Sequence, residues 1–70
     1  MQTEFIIEWE DGLNTFSCEV DGVLRCSPFI RDLLDDIAKL YKYEPKIIYS
    51  ESHYAKVLEN ELNITIEIED

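Results

Sequence analysis

Hydrophobic and polar residues alternate along three stretches of the chain, and this period of two predicts β-strands. The stretches are residues 3–10, 13–20 and 62–69. An Asp11-Gly12 pair separates the first two, and this dipeptide is preferred in two-residue type I′ hairpin turns. The sequence therefore predicts an N-terminal hairpin with Glu10 opposite Leu13, followed much later by a C-terminal strand.

The predicted hairpin register gathers apolar side chains on one face and acidic side chains on the other. A two-residue turn sets Ile7 opposite Phe16, and it makes Glu4 and Glu19 a like-charge pair that costs stability. The face predicted to be buried contains Phe5, Ile7, Trp9, Phe16, Cys18 and Val20. The face predicted to be exposed contains Glu4, Glu8, Glu10, Thr15, Ser17 and Glu19.

A central helix is predicted from Ser27 to about Lys42. Ser27 is a favourable N-cap, Pro28 fits the first turn, and a later proline stops the helix. Apolar residues follow the helical period, and Asp35 and Lys39 are spaced to pair on the opposite side. The apolar stripe consists of Ile30, Leu33, Leu34, Ile37, Leu40 and Tyr41.

Three further segments are less regular. A second pair, Asp21-Gly22, predicts another turn, and residues 23–26 are candidates for a third strand. Residues 46–49 are predicted as a short buried strand. Residues 52–60 fit either a short helix or a strand, and the pattern leaves both open.

These elements predict one α+β domain over residues 1–70, in which one helix packs on one face of a small mixed sheet. Seventy residues allow a single core, and so short a chain buries only about 60% of its unfolded surface. The element order is similar to that of ubiquitin-like β-grasp folds. The resemblance implies that the last strand lies beside the first.

The charge is unevenly distributed. Sixteen acidic residues against six basic ones give a formal net charge of −10. Residues 1–24 contain six acids and residues 57–70 contain five, and neither segment contains Lys or Arg. All six bases lie in residues 25–56, together with the other five acids. The net charge therefore belongs to the two terminal segments, which are mostly predicted strands.

Strand alternation directs this charge to one exposed face. Same-face residues repeat about every 6.8 Å along a strand and about every 4.8 Å across strands, so the carboxylates would form a two-dimensional array. The residues predicted to bind a partner are Glu4, Glu8, Glu10, Asp11, Glu19, Glu67 and Glu69. Ile6 and Leu13 lie among them as candidate apolar anchors for a partner or a homodimer, the alternative being scattered surface apolar residues.

Such a surface excludes ordinary nucleic-acid binding, because a binder neutralises phosphates with Lys and Arg. In size, acidity and lack of catalytic residues the chain resembles the small DNA-mimic proteins of bacteriophages, such as uracil-DNA glycosylase inhibitors and anti-restriction proteins. The resemblance implies an inhibitor that occupies the DNA site of a basic protein. Partners that read backbone charge rather than base edges suit it best, such as a histone-like nucleoid protein, a nuclease, or a repair or restriction enzyme.

Two other hypotheses stay open. The chain could be a protein–protein adaptor or antitoxin-like β-grasp module whose acidity is incidental, or a minor structural or assembly protein. An acidic surface also serves solubility alone. Salt dependence and competition with DNA distinguish mimicry from an adaptor that binds through apolar contacts.

Catalysis and metal binding find little support. The single histidine, His53, would need Cys18 or Cys26 beside it to form a nucleophile–base pair, and no motif indicates this. The same three residues lack the close-paired spacing of zinc ligands. Three aspartates on the predicted helix are interpreted as a solvated face. We therefore expect no enzyme activity, no cofactor and no metal.

The expected location is the cytoplasm, which is the host cytoplasm if the chain is phage-encoded. No run of 18 apolar residues occurs, so no membrane span is predicted. Residues 1–4 lack the basic and apolar regions of a signal peptide. Two cysteines are too few for a secreted disulfide scaffold.

Overall fold

The computed structural model describes residues 1–69 and shows a four-stranded mixed sheet with two helices packed on one face. The elements are β1 (Glu4–Glu10), β2 (Thr15–Val20), β3 (Val23–Ser27), α1 (Ile30–Leu40), α2 (Glu51–Leu62) and β4 (Thr65–Glu69). The sheet order is β3-β2-β1-β4, with only β1 and β4 parallel. The predicted α+β class is confirmed, and the last strand lies beside the first. Asp70, counted above in the charge, lies outside the described residues.

The core lies between the sheet and the two helices. Phe5 and Ile7 of β1 are almost fully buried, as period-two alternation predicts, while their neighbours Glu4 and Glu8 are exposed. The helices supply the other half of the core through one apolar stripe each. The buried apolar residues are Phe5, Ile7, Cys18, Val20, Leu33, Leu34, Ile37, Ala38, Tyr54, Ala55, Leu58, Ile64 and Ile66.

The predicted register of the first hairpin is wrong by two residues. Glu10 lies opposite Thr15 and not opposite Leu13, so residues 11–14 form a four-residue turn. Leu13 N–H donates to the Glu10 carbonyl at 3.2 Å, and Asn14 completes the turn with a φ of 54°. Asn tolerates this left-handed conformation, which the Asp-Gly rule did not take into account. A shift by two residues keeps every side chain on its predicted face. The predicted pairing of Glu4 with Glu19 is wrong, because the two residues are no longer opposite each other.

The second Asp-Gly pair behaves as predicted. Asp21 and Gly22 have φ values of 53° and 79°, and Val20 lies opposite Val23 across a two-residue turn of type I′. The candidate third strand is therefore present as β3. Its five residues complete an antiparallel meander with β1 and β2.

The two Asp-Gly glycines should respond differently to substitution. We expect Gly22→Ala to destabilise the fold by about 1–2 kcal/mol, because its φ is positive. Gly12→Ala should be neutral or stabilise by up to about 1 kcal/mol, because Gly12 lacks a positive φ and a Cβ at this position would meet no atom within 4 Å. Urea unfolding measures both, and equal losses would favour a type I′ turn at residues 11–12.

Helix α1 is shorter than predicted at both ends. Ser27 is not its N-cap, because the helix begins at Ile30 after Phe29. Ser27 instead accepts the Phe29 N–H at 3.1 Å and donates to the Asp32 carboxylate at 2.6 Å, which orders the turn before the helix. The helix ends at Leu40, and Lys42 follows with a φ of 55°. The left-handed residue ends the helix before the predicted end at Lys42.

The segment between the helices corrects two further predictions. Residues 46–49 form no strand, and Ile47 and Tyr49 are 62% and 80% exposed. Residues 52–60 belong to a second helix, α2, so the sheet carries two helices and not one. Ser50 caps this helix by accepting the His53 N–H at 3.1 Å, and Asn63 ends it in the left-handed conformation. Because α2 extends to Leu62, strand β4 begins at Thr65 and not at Leu62.

Candidate acidic binding face

Six carboxylates share the side of the sheet that the helices leave uncovered. We define this acidic face as Glu4, Glu8 and Glu10 of β1, Glu19 of β2, and Glu67 and Glu69 of β4. All are exposed except Glu10, which is half-buried. The face brings together acids from both ends of the polypeptide, as the strand pattern predicted.

The strand pairings fix the arrangement of this face. Glu8 lies beside Glu69 in the parallel β1–β4 ladder and beside Ser17 in the antiparallel β1–β2 ladder. Ser17 in turn lies beside Cys26 of β3. The Glu8 and Glu69 backbones are therefore about 4.8 Å apart, so their side chains form a like-charge pair that costs stability.

Within residues 1–69, no basic side chain lies on the acidic face. Arg25 is the one base on a strand, and it lies beside Cys18, whose side chain points into the core. The other bases lie on the two helices or in the segment that joins them, on the opposite side of the molecule. Because no basic side chain on this face neutralises the carboxylates, they produce a negative electrostatic potential in the solvent above the face.

Ile6 lies at the centre of the acidic face. It is 37% exposed, it lies beside Glu67 in the β1–β4 ladder, and Glu4 and Glu8 are its same-face neighbours along β1. A depression of about 300 Å³ opens here. Its lining consists of Gln2, Glu4, Ile6, Glu8, Ser17, Cys18, Glu19 and Leu24. A small apolar floor is thus surrounded by carboxylates, an environment that suits the aliphatic stem and charged head of a Lys or Arg side chain.

Gln2 holds the strands at one end of this depression. Its amide nitrogen donates to the Glu4 and Glu19 carbonyls, each at 2.9 Å. Its amide oxygen accepts the Asp21 N–H at 2.8 Å. The Gln2 carbonyl also accepts a hydrogen bond from the Tyr41 hydroxyl, which ties the segment before β1 to the end of α1.

Two predicted partner-binding residues lie outside the array of strand carboxylates. Asp11 is in the first turn, and its carboxylate accepts the Trp9 indole N–H at 2.7 Å. The Trp9 ring packs edge-to-face on Phe16 on the other side of the sheet, so Asp11 is engaged away from the acidic face. Leu13 is 72% exposed, but it belongs to the same turn and not to a strand. Within residues 1–69, Ile6 and Leu24 are the large apolar side chains exposed on the open-side positions of the strands.

Sequence reasoning missed two residues of this site, Gln2 and Leu24, and one contact of a third, Ser17. Gln2 carried no pattern because it precedes the first strand. Leu24 was assigned only to a candidate strand, and pairing with Glu19 places it on the acidic face. Ser17 was placed on the correct face, but its donation to the Glu10 carboxylate at 2.9 Å depends on the corrected register.

The cysteines and the histidine do not come together. Cys18 is buried in the core, whereas Cys26 is exposed on the open side of β3. His53 is on α2, across the sheet from Cys26, and its Nδ1 accepts the Tyr49 N–H at 3.2 Å. Burial raises the pKa of the Cys18 thiol from 9.0 to about 11, which keeps it protonated and unreactive at neutral pH.

Two of the three aspartates of α1 make contacts that stabilise the fold. Asp32 accepts from Ser27, and Asp35 accepts the Tyr54 hydroxyl at 2.6 Å. Burial, and then this bond to Asp35, raise the pKa of Tyr54. Asp35 therefore joins α1 to α2, and the predicted Asp35–Lys39 ion pair does not occur within residues 1–69. No group of three His, Cys, Asp or Glu side chains in that range could hold a metal ion.

Searches against protein-family models, curated proteins and solved structures find no match to this chain. Neither helix within residues 1–69 is long and apolar enough to cross a membrane.

Proposed function

We propose that this protein is a DNA-mimic inhibitor that presents its acidic face to the DNA-binding surface of a basic protein. The observation that supports this proposal is the convergence of six carboxylates on an uncovered side of the sheet, where the strands described between Glu4 and Glu69 carry no base. A neutral role in solubility would be served equally well by mixed charges. It would not require the like-charge neighbours Glu8 and Glu69, which cost stability.

The class of partner follows from what carboxylates can imitate. Duplex DNA presents about one negative charge per 1.7 Å of helix axis, and a protein that grips it carries a complementary Lys and Arg surface. A rigid sheet can offer charge at regular spacing without offering base edges. The proposed target therefore reads the phosphate backbone and the shape of DNA, as histone-like nucleoid proteins, nucleases and restriction enzymes do. Such a target in a bacterial cytoplasm agrees with the class resemblance to bacteriophage inhibitors.

A second candidate function is a protein–protein adaptor or antitoxin-like module. The exposed Ile6 and Leu24 support it, because exposed apolar side chains on the open side could bind a partner without any competition with DNA. The two candidates differ in salt dependence. Mimicry depends on long-range charge and weakens steeply with salt, whereas an apolar adaptor interaction has a shallow salt slope.

A displacement assay tests the proposal. Fluorescent duplex DNA is bound to each member of a panel of basic proteins, one histone-like nucleoid protein, one nuclease and one restriction enzyme, and this protein is titrated in. Mimicry predicts displacement of the duplex from at least one panel member and a steep loss of that displacement between about 50 and 200 mM salt. Ternary complexes that retain the duplex, or binding with a shallow salt slope, would favour the adaptor.

A further inference from the structure

The two edge strands of the sheet, β4 and β3, differ in how far their outward backbone groups are covered. The edge at β4 is partly protected. Thr65 N–H donates to the Thr3 carbonyl at 2.9 Å, so alternate residues of β4 direct their backbone groups toward β1. The amides of Ile66 and Ile68 therefore point outward. The Glu59 carboxylate of α2 accepts the Ile66 N–H at 2.9 Å, so an acidic side chain covers one of these two outward amides.

The edge at β3 has no such cover. Val20 and Val23 close a two-residue turn and exchange hydrogen bonds, so Leu24 and Cys26 direct their N–H and C=O groups away from β2. Within residues 1–69 no side chain bonds to these outward groups. The side chains of residues 23–26 are all exposed, and Val23 and Leu24 are 50% and 67% exposed. An edge of this kind is a template for another strand.

The charge distribution indicates which strand can pair there. Of the four strands within residues 1–69, β3 alone has no acidic residue, and it carries a single base, Arg25. A basic segment of a partner would meet this positive charge. A second copy would instead bring two acid-free strands together. The nearest acids of the open side, Glu19 and its counterpart, would then lie three strand separations apart, about 14 Å, beyond the screening length of about 8 Å at physiological salt.

We propose that two copies of this protein pair through β3 in antiparallel orientation and form a continuous eight-stranded sheet. A two-fold axis perpendicular to the sheet sets Leu24 opposite Leu24 of the second copy. Centring the axis on Arg25 would oppose two like charges. Centring it on Cys26 would require a hydrogen bond from Pro28, which has no N–H. This inference does not rest on the proposed function, although the dimer would place two acidic faces on the same side of one sheet.

Edge prolines test this interface, because a proline removes an outward N–H without breaking a bond inside the sheet. Sedimentation equilibrium should give a mass that rises with concentration from 8.3 kDa to twice that value. Leu24→Pro should remain at 8.3 kDa at every concentration. The matched control Ile68→Pro, at the outward amide of β4, should dimerise like the wild type. Dimerisation that Ile68→Pro abolishes and Leu24→Pro does not would overturn the proposal.

Hydrogen exchange of the unmodified protein decides the matter even if Leu24→Pro does not fold. The amides of Leu24 and Cys26 should exchange more slowly as concentration rises, while the Ile68 amide should not change. Added salt should strengthen self-association, because it screens two bodies of charge −10, and should weaken binding to a basic target. A mass of 8.3 kDa up to about 1 mM would refute the dimer. A monomer that still displaces DNA would leave the proposed function intact.

Discussion

The double variant Glu8→Lys with Glu67→Lys is expected to lose at least about 100-fold in its ability to displace duplex DNA from a basic protein, because like charges brought together at an interface cost several kcal/mol. Both residues belong to the acidic face and are neighbours of Ile6 at its centre. The change places two positive charges against the basic surface of the target, where DNA would place phosphates. It also removes the repulsion between Glu8 and Glu69, so the fold should be no less stable than the wild type.

A control with the same change of charge separates the acidic face from acidity in general. Glu44→Lys with Glu61→Lys reverses two exposed acids on the helical side of the molecule. Each Glu→Lys change raises the net charge by two, so each double variant has a formal net charge of −6 instead of −10. The control should keep most of the displacement activity. Equal losses in both variants would mean that net charge matters and the face does not.

Truncating Leu58 to alanine should destabilise the fold by about 3 kcal/mol, within the range of large-to-small core substitutions. Leu58 is fully buried, and it lies on α2, the element that the sequence pattern left open between helix and strand. A domain of this size has only about 4–10 kcal/mol of stability, so the loss is a large share. The melting temperature should fall by about 12–24 °C, as measured by circular dichroism.

The neighbouring Val57 provides the control for this prediction. Val57 is half-buried and lines a groove between α2 and the segment before it. Val57→Ala should cost no more than about 1 kcal/mol, because little area is lost and alanine favours the helix. Similar losses for both variants would contradict the packing of α2 on the sheet.

Faces of strands could be predicted from the sequence, and turn geometry could not. Alternation of apolar and polar residues depends only on the pleat, so the buried side of β1 and β2 was identified correctly. The Asp11-Gly12 pair suggested a two-residue turn, but Asn14 supplies a left-handed residue that makes a four-residue turn possible. A shift by one residue would have moved Glu19, the glutamate of β2, to the core side.

The prediction for the segment after α1 was wrong for a different reason. Ile47, Ile48 and Tyr49 form an apolar run that resembles a buried strand, yet within residues 1–69 this run pairs with none of the four strands. The position of α2 is set by a cap at Ser50 and by a hydroxyl bond from Tyr54 to Asp35. These are tertiary and capping interactions that periodicity along the chain does not contain.

The sequence predicted which acidic residues belong to the candidate site, but it did not predict the shape of the surface they form. Glu4, Glu8 and Glu67 follow from alternation together with the absence of bases at both ends of the chain. The central depression depends on Gln2 and Leu24, whose positions come from pairing between strands. Asp11 is one of the acids of residues 1–24 that the sequence predicts to bind a partner, but its bond to Trp9 engages it away from the acidic face.

The distribution of electrostatic potential around the molecule is the most direct test of the acidic face. Paramagnetic relaxation of backbone and side-chain protons is measured with a cationic co-solute and with a neutral one of the same size. The ratio of the two enhancements reports local potential without any partner. We predict the largest cationic excess at Ile6, Glu8 and Glu67 and the smallest on the exposed faces of α1 and α2. An excess spread evenly over sheet and helices would contradict a concentrated acidic face.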